Sequence, residues 1–193
     1  LNGERVARGE KAAKLTVVPL KGWKRSMTFD KTGMPWVLPS PHIPQPATAF
    51  YYPATGILGE LYYVSIGVGY TLPFQLICAD WIDADKFAER MNALNLPGTK
   101  FRPIHVKPFY GTGKGENLQG VQFYVDDVPG SSLTLIQFYA MQELAKLYPE
   151  KRIFDTATDK SRFDMFDKVC GTDKIRTLFS KNYQVSDMID YWN

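Results

Sequence analysis

The sequence predicts an α+β fold: a single compact domain with a mixed sheet, a long buried helix near residues 131–148 and short C-terminal helices. Three observations carry this expectation. Short apolar runs such as "KLTVVPL", "LPFQLICA" and "VQFYVDD" are separated by turn residues, as strands are. Two other stretches, "DADKFAERMNALN" and the run after Ser131, repeat apolar residues at helical spacing. Strands and helices mix without regular βαβ spacing, which argues against a doubly wound sheet.

Each element follows in order. Residues 1–13, "LNGERVARGEKAA", read as the tail of a helix and a turn left from a preceding domain, with residues 14–193 forming the domain proper. Leu15, Val17, Val18 and Leu20 make residues 14–20 a strand candidate. Residues 21–56 are dense in Pro and Gly, with a short helix expected near 47–51. So long a connection is uncommon inside a compact domain, so it is expected to be packed down by its own aromatics and to carry function. A strand is expected near 72–78, then a helix capped by Asp83 with Phe87, Met91 and Leu94 on one face. "FRPIHVKPFY" holds two prolines and therefore reads as an edge or bulged strand. Ser131 or Ser132 caps the long helix, and further helices are expected near 161–169, 172–180 and 184–191.

Composition excludes several classes. Hydrophobic residues make up 45% of the 193, aromatics 14% and charged residues 22%, so the chain can bury a core and is not a disordered type. The net charge of +3 is spread among mixed signs, which does not suggest nucleic acid. No apolar run approaches a membrane span. Two cysteines, Cys78 and Cys170, and two histidines, His42 and His105, show no metal-ligand spacing, and no cofactor is expected.

The chemistry-bearing stretch is "GILGELYYVSIGVGYTLPF", residues 56–74, with "SPHIP" upstream. Glu60 is the candidate catalytic acid, since partial burial among aromatics would tune a carboxyl for proton transfer. A solvated acid at a turn fits the pattern as well, and no convincing second carboxylate accompanies it. His42 is held between prolines, in a rigid loop suited either to ligand contact or to a local hydrogen bond. Tyr51, Tyr52, Tyr62, Tyr63 and Tyr70 suit a sugar ring or a core edge equally. The glycines match neither a dinucleotide fingerprint nor a nucleotide-binding lysine loop, and Gly67 and Gly69 read as a tight backbone path.

The run "VVPLKGWKRSMTFDKTGMPWVLPSPHIPQPATAFYYPATGILGE", with "VSIGVGYTLPF", "ADWIDADKFAERMNALNLPGTKFRPIHVKPFY", "LQGVQFYVDD" and "FDMFDKVCGTDKIRTLF", resembles the C-terminal domain of the exo-β-N-acetylmuramidase family. The resemblance covers nearly the whole chain. It implies a bacterial, exported peptidoglycan hydrolase that releases N-acetylmuramic acid from non-reducing ends. It also implies an N-terminal Rossmann-like catalytic domain as partner, expected to be absent from this chain, which would then form one wall of an interdomain cleft and have little activity alone. A glycan-binding or scaffolding domain is the alternative. Muramyl glycans are the expected ligand, and Arg25, Ser40, His42, Tyr52, Glu60, Ser65, Tyr70 and Thr71 are the candidate contacts. Many relatives carry an acid and an arginine where Ile66 and Val68 stand here.

Overall fold

The structure, a computed structural model, describes residues 1–157 and 160–192. They cluster as two units, Leu1–Pro35 and Trp36–Asn193. The first holds one short helix, α1 (Asn2–Ala7), and a single 3-10 turn at Phe29–Thr32, and it buries no residue. The strand expected at 14–20 does not form. Leu15, Val17, Val18 and Leu20 are 70–85% exposed. Their apolar pattern suits a strand, but a strand exists only by pairing, and this segment pairs with nothing among the described residues.

The second unit builds the α+β fold. Its first helix, α2 (Thr48–Gly59), runs well past the short helix expected near 47–51. Pro53 and Gly56 argue against it locally, because an interior proline removes a helical hydrogen bond. Tertiary support explains the difference. Gln137, fully buried, accepts from the Leu58 N–H at 3.0 Å and donates to the Pro53 carbonyl at 2.9 Å. One side chain thus satisfies two backbone groups of the proline-interrupted helix.

The sheet comprises β1 (Leu76–Ala79) and, after helix α3 (Ala84–Ala93), β2 (Thr99–Val106) and β3 (Leu118–Val125). The order is β1-β3-β2, and the sheet expected to be mixed has antiparallel pairing in both ladders, with Ile77 opposite Val121 and Phe101 opposite Phe123. Pro103 is accommodated because β2 lies at an edge. Period-two alternation divides the side chains. Ile77, Phe101, Val121 and Phe123 enter the main core, while Leu76, Cys78, Val106 and Leu118 form a smaller cluster with Tyr70 and Leu72. Asp83 caps α3 as expected, its Oδ1 accepting from the Lys86 N–H at 3.1 Å.

Helix α4 (Leu133–Leu147) is the long buried helix, and α2 packs along it. Ser132 occupies its N-cap without a side-chain capping bond. A short helix, α5 (Ile153–Thr156), follows, then α6 (Ser161–Cys170), α7 (Lys174–Asn182) and α8 (Ser186–Trp192). Phe138 of α4 meets Phe166 and Phe179 edge-on, at 6.2 and 5.6 Å between centroids, which anchors these helices on the core.

Glu143 on α4 has a pH consequence. It is 1% exposed, and Arg90 Nη2 and Lys146 Nζ lie 2.6 and 2.7 Å from its carboxylate. Burial pushes its acidity down, but hydrogen bonds from Lys146, Gln142 and Arg90 outweigh this and hold the carboxyl below the ordinary range. A carboxyl depressed in the folded state contributes stability above its unfolded value of about 4.3, lost as pH falls through the folded value. Glu143→Gln is therefore expected to be less stable near neutrality and to lose less on acidification. Urea titrations at pH 7 and pH 3.5 would refute this by showing parallel losses.

Candidate active-site cavity

The C-terminal half of α2 and the loops around it enclose a cavity of about 680 Å³. Tyr52, Gly56 and Glu60 face it from α2 and its end, at the spacing that aligns residues on one helical side. Val64, Ile66 and Phe74 supply an apolar floor, and Gly111 and Thr112 close one side. Tyr52 packs edge-on against Phe74, at 4.8 Å between centroids, yet remains half exposed. Tyr62 and Phe74 both line the cavity with positive φ, 50° and 65°. Non-glycine residues adopt that conformation at a cost of about 1–2 kcal/mol, so the surrounding fold must impose it.

Two polar groups are held in place. The Ser40 Oγ accepts from the His42 N–H at 3.2 Å, within a turn closed by Ile43 N–H on the Ser40 carbonyl. That turn sets the imidazole Nδ1 3.0 Å from the Tyr110 hydroxyl. Glu60, the C-cap of α2, is not free in an apolar pocket. Arg162 Nη2 binds its Oε2 at 2.7 Å, and Arg162 Nε donates to its backbone carbonyl at 2.7 Å. The same guanidinium lies over the Tyr62 ring, 4.2 Å from its centroid. Arg162 thus aligns both Glu60 and Tyr62 at the cavity.

The candidate residues therefore separate. His42, Tyr52 and Glu60 come together at this cavity. Ser40 acts behind it, on the turn that carries His42. Ser65 lines a different, smaller chamber, and Tyr70 lies against a third depression with His105. Thr71 is exposed and lines neither, and Arg25 belongs to the Leu1–Pro35 unit, where it is exposed. Arg162 and Phe74 were missed as contributors. Arg162 is 102 positions from Glu60, and no local pattern signals a pairing of that span. Ile66 and Val68 both line the cavity and give it apolar surface at these two positions.

Among the described residues, Glu60 is the one carboxylate lining this cavity. Glycoside hydrolysis generally takes two, so the cavity's own chemistry is that of holding a ligand by aromatic faces, an imidazole and a paired acid. Among the described residues, no group of three His, Cys, Asp or Glu side chains is placed to hold a metal, and no helix is long and apolar enough to cross a membrane.

Comparison with known proteins corrects two expectations about this chain. The sequence model of the C-terminal domain of exo-β-N-acetylmuramidase NamZ matches residues 50–193, and that of the N-terminal domain matches residues 2–47. The expectation that the N-terminal domain is absent is overturned, and so is the reading of the chain as an isolated, inactive C-terminal fragment. Sequence of both family domains is present. The junction was not legible because the Pro- and Gly-rich stretch from 21 to 56 runs through it without a change of composition. The chain is 38% identical over 178 residues to the peptidoglycan β-N-acetylmuramidase NamZ of Bacillus subtilis, covering 92% of this chain and 41% of that protein. It also superimposes on a crystal structure of a DUF1343 family protein from Bacteroides fragilis, with a TM-score of 0.92 and 53% identity, over 99% of this chain and 49% of that one. The chain thus spans under half the length of each relative. Matched by both domain models across nearly all its residues, the chain belongs to the exo-β-N-acetylmuramidase NamZ family.

Proposed function

We propose that this protein is a peptidoglycan glycosidase that releases N-acetylmuramic acid from the non-reducing ends of muramyl glycans, and that its 680 Å³ cavity holds the muramyl residue. The cavity is the observation that carries the reading. Its volume falls within the range of about 300–1,000 Å³ usual for small-ligand sites, and its lining combines apolar and aromatic surface with a few oriented polar groups. Tyr52 and Tyr62 offer faces to a pyranose ring, while His42 and Glu60 offer hydrogen bonds to its hydroxyls. Glu60 is assigned to positioning the sugar, with the paired carboxylates of hydrolysis not both drawn from this lining. Such a substrate places the protein outside the cytoplasm.

The test is turnover of a chromogenic N-acetylmuramic acid β-glycoside. Glu60→Gln is expected to lower kcat/KM by about tenfold or more. It should leave the unfolding temperature within a few degrees, since the Glu60–Arg162 pair is partly solvated, at 34% and 29% exposure, and such pairs contribute about 0–1 kcal/mol. Undiminished turnover in the variant would remove Glu60 from the site. Absence of turnover by the parent protein on every β-muramide tried would overturn the glycosidase reading.

A further inference from the structure

Gly56 stands inside α2, where a glycine weakens a helix relative to alanine. The space around it accounts for its presence. A Cβ built at Gly56 would lie 3.3 Å from Cε2, 3.5 Å from Cδ2 and 3.7 Å from Cζ of Tyr52, and no other atoms come nearer. The ring of the residue one helical turn earlier thus lies against the bare backbone of Gly56. Gly59, the other glycine of this helix, meets a different neighbour. A Cβ there would run into Ile66 Cδ1, on a buried core side chain. The obstacle at Gly56 is instead a ring that is 51% exposed and has solvent to move into.

Phe74 holds the same ring from a second side, edge-on at an interplanar angle of 79°. Phe74 is itself tied to α2, because the fully buried Thr55 donates from its hydroxyl to the Phe74 carbonyl at 3.0 Å. Seat and side wall therefore both belong to one helix and what is fastened to it. The ring they hold is a boundary. A second pocket of about 210 Å³, with Pro53, Ile57, Thr134 and Val169 in its lining, adjoins the large cavity, and Tyr52, Gly56 and Glu60 line both. Where the Tyr52 ring lies thus sets the shape of the large cavity, and turning it outward opens one space toward the other.

We infer that Gly56 is a positioning residue for the ligand site: its missing side chain seats the Tyr52 ring against Phe74, where the ring forms a fixed aromatic wall of the cavity. The inference rests on the reading of the large cavity as the sugar site and adds what holds that wall in place. Gly56 acts through Tyr52 and touches no reacting atom. Helix propensity and ligand binding then pull in opposite directions at this position. An alanine gains the first and displaces the ring, at little cost to the fold because the ring moves into solvent.

The experiment combines Gly56→Ala and Tyr52→Ala in a double-mutant cycle, with affinity for N-acetylmuramic acid read by calorimetry and stability by thermal unfolding. Gly56→Ala is expected to keep the unfolding temperature or raise it by up to about 3 °C, while weakening binding about fivefold. Tyr52→Ala should weaken binding about tenfold. Adding Gly56→Ala to it should weaken binding no further, since the ring through which Gly56 acts is gone. Unchanged affinity in Gly56→Ala would overturn the inference while leaving the sugar site standing. A further loss of about fivefold in the double variant would also overturn it, because Gly56 would then act without Tyr52. An unfolding temperature lowered by more than about 5 °C in Gly56→Ala would overturn it by making Gly56 a requirement of the fold. Failure of the parent protein to bind the sugar would overturn both this inference and the muramyl reading.

Discussion

Gly69→Ala is expected to lower the unfolding temperature by about 10 °C or more, corresponding to roughly 4 kcal/mol in a chain of this size. Gly69 has φ +96°, and a Cβ built there would run into the Tyr110 carbonyl. The obstacle is backbone, so no side-chain rotation relieves it. The Gly69 carbonyl also accepts from the Phe109 N–H at 2.9 Å, which fastens the two segments together. Tyr110 must move for an alanine to fit, and Tyr110 holds the His42 ring while the adjoining Gly111 and Thr112 line the cavity. The substitution should therefore damage sugar binding along with stability. Calorimetry of the variant decides the matter: a shift below about 2 °C would show that the approach of the two backbones is not a constraint on the fold.

Gln137→Leu is expected to cost about 2–4 kcal/mol, read as a lowered urea midpoint at unchanged slope. Leucine resembles glutamine in volume and is apolar, so a simple count of buried hydrophobic surface predicts a gain. The opposite is expected because Gln137 bonds to backbone, which a substitution cannot remove. Leu58 N–H, Pro53 C=O and Thr134 C=O would all lose the bond that this fully buried side chain makes to them. The loss falls on α2, the helix that carries Tyr52 and Glu60, so the variant should also bind sugar less well. A cost below about 1 kcal/mol would mean that α2 tolerates its proline without help from α4.

Much of the fold was legible wherever a local pattern reported directly on burial. Asp83 followed by Phe87 and Met91 marks a capped amphipathic helix, and Gly171 after Cys170 ends α6 in the left-handed conformation. The prolines of "FRPIHVKPFY" identified an edge strand because a central one would need the missing N–H. Failures arose where a local signal is overruled from a distance. The Pro- and Gly-rich run through residue 56 read as holding only a short helix near 47–51, yet Gln137, 84 positions from Pro53, bonds to a helix that continues to Gly59. Leu15 to Leu20 read as a strand, yet pairing is a property of two segments and this one has no described neighbour.

The candidate site divides along the same line. The sequence by itself singled out a glycine-bounded, aromatic segment containing Glu60, with His42 on a proline-restrained loop, as the candidate site, and it read Gly67 and Gly69 as a tight backbone path, which their positive φ bears out. Residue type and backbone restraint are local properties and can be read without a fold. Only the tertiary structure decided that Arg162 pairs with Glu60, that Tyr110 holds His42, and that Ser65 leaves the cavity for a chamber of its own with an unsatisfied hydroxyl. These are contacts between residues tens of positions apart. Their geometry depends on how helices and sheet pack, and no spacing within one segment encodes it.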